Sequence, residues 1–155
     1  MLFAVVRVRG TLNVKKNVAE TLKMLRLNKQ NHCVLVKPEK SVLGMLKLAE
    51  KYVTWGEISN DVMVKILTKR AKATGNKKAS LDYLKDKTGK SVEEIAALLT
   101  DNNLKLTEIP GMKPIFRLKP PSKGFGRVGV KYPFSLGGVF GYRGEKINEL
   151  LVKMI

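Results

Sequence analysis

Residues 2–10 read Leu-Phe-Ala-Val-Val-Arg-Val-Arg-Gly, an apolar, valine-rich run that ends on two arginines and a glycine. Valine is stiff at χ1 and suits a pleated surface, so this stretch predicts a strand over residues 2–9. Side chains alternate along a strand, so Ala4, Val6 and Val8 share one face and Phe3, Val5, Arg7 and Arg9 the other. Working outward, His32–Lys37 and Val53–Gly56 are two further apolar runs, each preceded by a helical pattern. In the first helix Asn13 stands at the cap position and Val14, Val18, Leu22 and Leu25 fall on one stripe. In the second, Pro38 suits the first turn, and Val42, Met45, Leu46 and Ala49 form the buried stripe. The order β-α-β-α-β within residues 1–58 predicts an α+β fold. Its core is a ferredoxin-like split β-α-β arrangement with both helices on one face of the sheet.

Residues 59–112 read as an appended helical region. Asn60 and Asp61 open a helix with Met63, Ile66, Leu67 and Arg70 on one side. It runs into a cluster of Lys69, Arg70, Lys72, Lys77 and Lys78 without an acidic neighbour. Ser80–Thr88 predicts a short helix closed by Gly89, and Ser91 with Glu94 is a capping box opening another, with Ile95, Leu98 and Leu99 inward. Leu104–Ile109 alternates like a strand, Pro110-Gly111 turns the chain, and Pro114–Leu118 is the expected returning partner.

Residues 113–155 form a basic, Gly/Pro-rich C-terminal extension of the same protein, with a closing helix carrying Ile147, Leu150, Leu151 and Met154. Within it, Phe116–Gly144 holds seven of the thirteen glycines and three of the six prolines. Its charged side chains, Arg117, Lys119, Lys123, Arg127, Lys131 and Arg143, are all positive, and no acid lies between Glu108 and Glu145. Such a segment cannot bury a core of its own, yet it is too aromatic for an inert linker. It reads as an arm ordered against polyanion. Phe125, Tyr132, Phe134, Phe140 and Tyr142 are suited to stacking on bases or to anchoring the arm on the protein, and anchoring is expected for most of them.

A formal net charge of +17 with pI near 10.1 points to nucleic acid. No apolar run approaches the ~20 residues of a spanning helix, and the N-terminus lacks the charged region and cleavage site of a signal peptide, so no membrane partner is expected. The lone Cys33 fits a reducing cytoplasm. Structured RNA is the expected partner. The mixed face of Phe3, Val5, Arg7 and Arg9 is then the open one, to be covered by later segments or by RNA.

Motif-like stretches fail on context. Gly124-Phe125-Gly126-Arg127-Val128-Gly129 matches G-x-G-x-x-G, but it lies between Pro120-Pro121 and Pro133 in place of a strand and a helix. Gly89-Lys90-Ser91 resembles the end of a P-loop, but the glycine required five positions earlier is Leu84. One His and one Cys make no zinc site, and the acids are scattered. No catalytic, cofactor-binding or metal residues are assigned, and no small-molecule substrate is expected.

The residues also carry a resemblance. VVRVRG, MLRLNKQNHCVLV and LKLAEKYVTWGEI resemble the large-subunit ribosomal protein family L thirty, whose eukaryotic member is called L seven. RLKPPSKGFGRVGVKYPFSLGGVFGYRGEKINELLVKMI resembles the end of its longer, archaeal-type members. The bacterial form is similar only to about residues 1–58. The resemblance implies a ferredoxin-like core bound to large-subunit ribosomal RNA in the cytoplasmic ribosome. It implies neighbouring ribosomal proteins as further partners, no catalysis and no homo-oligomer. Arg7, Arg9 and Gly10 match the family's strand-end turn; Lys119, Ser122, Lys123 and Gly124 match its basic turn, although Phe125 stands where eukaryotic members continue with glycine. The full set of expected RNA contacts is Arg7, Arg9, Gly10, Lys15, Lys16, Lys69, Arg70, Lys72, Lys77, Lys78, Lys119, Ser122, Lys123, Gly124, Arg127, Lys131 and Arg143. A free RNA chaperone or regulatory RNA-binding module is the alternative, and an RNA-modifying enzyme the more distant one.

Overall fold

The computed structural model describes residues 2–79, 81–101, 104, 106–126 and 128–155. The valine-rich run forms β1 (Phe3–Arg7), the central strand of a sheet of order β4-β2-β1-β3-β5. β2 (His32–Val36) and β3 (Val53–Glu57) flank it, both antiparallel, so that Val5 faces Val34 on one side and Trp55 on the other. The edges are short. β4 (Phe116–Arg117) pairs antiparallel with β2, and β5 (Gly141–Tyr142) runs parallel to β3. Two-residue edge strands offer little template for pairing with another chain.

The α+β class and the ferredoxin-like core hold, with α1 (Lys16–Met24) and α2 (Lys40–Leu48) on one face. That face is the one expected to be open. Phe3, Val5, Val34 and Trp55 join Val18, Leu22, Leu25, Leu46 and Ala49 in one buried cluster. Opposite, Leu2, Ala4, Val6 and Cys33 pack with residues of α3 (Asn60–Arg70), α5 (Val92–Thr100) and α6 (Ile147–Met154), among them Met63, Ile66, Ile95, Leu99, Ile147 and Leu151. Small residues explain the assignment. Ala4, Cys33 and Gly56 leave a shallow surface on that side, and a Cβ at Gly56 would overlap the carbonyl oxygen of Gly144. The sheet is therefore clad on both sides, and no face of it is left for RNA.

Local signals fared differently. Ser91 accepts from the Glu94 N–H and the Glu94 carboxylate accepts from the Ser91 N–H, the reciprocal capping box expected at the start of α5. Gly89 takes φ +65° after α4 (Leu81–Thr88), as a left-handed helix stop requires. Asn13 does not cap α1. It sits at φ +54°, and the helix begins at Lys16 behind Lys15, with no side-chain cap bond. The far end of α1 closes through Arg26 at φ +59°, where the Leu27 N–H donates to the Leu22 carbonyl at 2.8 Å and Leu27 is fully buried. The strand expected over Leu104–Ile109 is absent from its described residues: Leu106–Glu108 is a single 3-10 turn. Leu106 and Ile109 are both buried, a three-residue spacing that a turn satisfies and a strand does not. Phe116–Arg117 accordingly takes β2 as its partner.

Candidate nucleic-acid interface

The segment Phe116–Gly144 is folded into the protein. Phe116 is fully buried, and Val139 and Phe140 form a small cluster with Val8, against which Phe125 and Val130 pack. Its basic turn is fixed by the last helix. The final carbonyls of α6 have no intrahelical donors; the Lys119 N–H donates to Met154 O and the Ser122 N–H to Lys153 O, each at 2.9 Å. Lys123 at φ +66° and Gly124 at φ +73° then reverse the chain, a conformation unusual for lysine and easy for glycine. Lys119, Ser122, Lys123 and Gly124 all end up exposed.

Four arginines, Arg7, Arg9, Arg70 and Arg143, are held by the protein's own main chain, whereas Arg26 and Arg117 are exposed. Arg7 is only 3 % exposed. Its Nη1 donates to Leu27 O at 2.7 Å, Nη2 to Gly10 O at 2.7 Å and Nε to Arg9 O at 2.9 Å. Burial lowers its pKa below the ordinary arginine value. Wrapped by three main-chain carbonyls, the guanidinium of Arg7, an expected RNA contact, acts in the fold as a brace that shapes the turn through Gly10. Arg9 is half-buried: Nε and Nη2 both donate to Val130 O, and the group lies 5.4 Å from the Phe140 ring centre and 5.9 Å from that of Tyr52. Arg143 donates through Nε to Thr54 Oγ1 at 2.9 Å and through Nη2 to Val139 O at 2.7 Å, 4.5 Å above Phe134. Desolvation pulls its pKa down to about 10. Arg70 is held too, by the main-chain oxygen of Ile155, through Nε at 3.2 Å and Nη2 at 2.5 Å. Arginine's fork suits such multidentate carbonyl bracing.

Lys15, Lys16, Lys69, Lys77, Lys78, Lys119, Lys123 and Lys131 remain exposed. At the end of β1, the Arg9–Val130 bonds tie the strand end to the glycine-rich segment. At the end of α6, the Arg70–Ile155 contact and the main-chain bonds of Lys119 and Ser122 bring the end of α3 and the 119–124 turn to one corner. Lys72, half-buried, and Lys78 face each other across a narrow hairpin turning at Gly75, φ +81°, which the Lys113 N–H ties down at Lys72 O. Arg127 lies outside the described residues. Of the aromatics, Phe125, Phe134 and Phe140 anchor the segment, whereas Tyr132 and Tyr142 are exposed; the Tyr142 hydroxyl donates to Glu57 at 2.5 Å, which raises its pKa.

Two residues that the sequence reading passed over belong with these. Lys146 and Lys153 line a groove of about 190 Å³ together with Lys123, Phe134 and Arg143. Their seven-residue spacing, two helical turns, was the available signal. Among the described residues no group of three or more His, Cys, Asp or Glu is placed to hold a metal ion, and no helix is long and apolar enough to cross a membrane.

Residues 3–53, from β1 through α1 and β2 to the end of α2 and the first residue of β3, match the family model described as ribosomal protein L30p/L7e. The large ribosomal subunit protein uL30 of Methanococcus maripaludis (strain C5) is 46% identical over 155 residues, all of both chains. The uL30 proteins of Nanoarchaeum equitans and Archaeoglobus fulgidus are each 44% identical over 154 residues, 99% of this chain and of theirs. Identity at this level over the whole length means that the chain belongs to the ribosomal protein L30p/L7e family.

Proposed function

We propose that this chain is a structural constituent of the large subunit of the cytoplasmic ribosome, where it binds and stabilises ribosomal RNA and packs beside other ribosomal proteins. The observation that carries the reading is a division of labour among the cations. Arg7, Arg9, Arg70 and Arg143 are bonded to main-chain oxygens, while Lys15, Lys16, Lys69, Lys77, Lys78, Lys119, Lys123 and Lys131 stand exposed on the fold. Fixed point charges on a surface with few compensating acids position a protein on phosphates without reading sequence. No catalytic step, cofactor, metal, membrane contact or self-association is part of this reading. The RNA-facing set is Gly10, Lys15, Lys16, Lys69, Lys72, Lys77, Lys78, Lys119, Ser122, Lys123, Gly124 and Lys131, with Arg9, Arg70 and Arg143 as partly covered supports; Arg127 is retained from its sequence context.

Sedimentation tests the assignment. The protein is expected to migrate with the large-subunit peak of a sucrose gradient and to leave it as salt rises, because each neutralised phosphate contributes about 0.7–0.9 to the slope of log affinity against log salt. A protein that stays at the top of the gradient at low salt supports the alternative of a free RNA chaperone. A flat salt response refutes the electrostatic reading.

A further inference from the structure

We propose that the groove between the 123–126 turn and the outer face of α6 is a dedicated seat for a single RNA phosphodiester, resting on the RNA-binding reading above. Lys123 comes from the turn, Lys153 from α6, Lys146 from the cap position just before that helix, and Arg143 from the chain leading into it, against one acid, Glu149. Four cations facing one carboxylate in a space this narrow repel one another, and an anion relieves that repulsion. The volume, about 190 Å³, lies below the roughly 300–1,000 Å³ of small-molecule pockets, so the occupant is one small anionic group.

Two features make the groove more than a scatter of surface lysines. Arg143 is immobilised by Thr54, Val139 and Phe134, and burial has already stripped part of its water. It is a fixed, partly dehydrated charge, which attracts an anion more strongly than a solvated one. The opposite wall is glycine backbone: Gly124 and Gly126 have φ of +73° and +102°, and a Cβ at either would meet nothing within 4 Å. A strand of RNA can therefore run close against main chain there. The anchoring of the Ser122 N–H on Lys153 O fixes the width between the two walls. The ligand class follows from this: a backbone phosphate of RNA entering edge-on, with no base read.

The test uses the full chain and deproteinised large-subunit ribosomal RNA across a salt series. Lys146→Gln combined with Lys153→Gln is compared with Lys77→Gln combined with Lys78→Gln, which removes equal charge from the separate hairpin. All four lysines are exposed. The groove pair is expected to lose about tenfold more affinity than the hairpin pair, to lower the salt slope by about one, and to be rescued by Lys146→Arg with Lys153→Arg. Phosphorothioate interference mapping should show a protected phosphate that disappears in the groove variant alone. Equal losses for the two pairs with no phosphate lost overturn the groove while the RNA-binding reading stands. An unmodified chain that fails to bind the RNA overturns that reading itself. A variant that unfolds and is not restored by the arginine pair assigns these lysines to the scaffold and also overturns the proposal.

Discussion

Replacing Arg7 by Met separates a scaffold arginine from an RNA ligand. Methionine keeps an unbranched apolar stem and removes the three donors that Arg9 O, Gly10 O and Leu27 O accept from. Hydrogen bonds to a charged group contribute about 1.5–3 kcal/mol each, but removing the guanidinium also removes its own desolvation cost, which offsets part of the loss. A net destabilisation of about 3 kcal/mol follows, counting mainly the Leu27 carbonyl left buried without a donor and, in smaller part, the partly covered carbonyls of Arg9 and Gly10. For a chain of this length that lowers Tm by about 6–12 °C. The assay is far-UV circular dichroism melting, with urea unfolding to check that the m-value is unchanged. Arg7→Lys is the informative companion: it retains the charge, yet a compact ammonium on a flexible stem cannot reproduce the fork, so most of the loss should persist. If Arg7→Met melts within about 2 °C of the parent while rRNA affinity falls as far as in an exposed-lysine variant, Arg7 is a ligand and the brace assignment is wrong.

Three other outcomes are expected. Gly56→Ala should destabilise by about 1–3 kcal/mol, or abolish folding, because the new methyl meets the backbone of Gly144 where no side chain can yield; denaturant titration measures it. His32, the single histidine, has its pKa lowered by burial and then by Arg117, Lys29 and Arg7, so it resists protonation when folded and stability should fall as pH drops below about 6.5; His32→Gln should flatten the Tm-against-pH curve between about pH 7 and 5. Replacing Lys119, Lys123 and Arg127 together by Ala should weaken incorporation into the large subunit at nearly unchanged Tm, and unfolding in its place would assign that turn to the scaffold.

Much of the fold was legible because it is periodic. The valine-rich run of residues 2–9, alternating at its far end, gave the central strand, and the stripes through Leu22 and Leu46 gave the two helices that cover it. Periodicity does not say which face a layer will choose. That choice was made by small residues, Ala4, Cys33 and Gly56, which mattered only once the later helices packed on that side and the Gly144 backbone lay over Gly56. The interface was legible in charge and obscure in role. Lysine and arginine read alike in a sequence, yet Arg9 finds its acceptor 121 residues away in Val130, a pairing no local pattern encodes. Lys146 and Lys153 were overlooked for the opposite reason: their helix reads as a plain amphipathic closure, and only the turn packed beside it reveals the groove.

The placement of β1 has a kinetic consequence. The first strand of the chain has both edges and both faces engaged, and every neighbour it needs comes later: Val34, then Trp55, then Ile95, and at last Leu151. Contacts of such long sequence separation must be closed against chain entropy before they stabilise anything, which places this protein among slow folders for its size. While it waits, Phe-Ala-Val-Val is an unpaired, β-prone segment in a chain whose charge of +17 keeps copies apart. The same lysines that would seat RNA thus act earlier as an electrostatic guard against self-association, and refolding yields should fall when salt screens them.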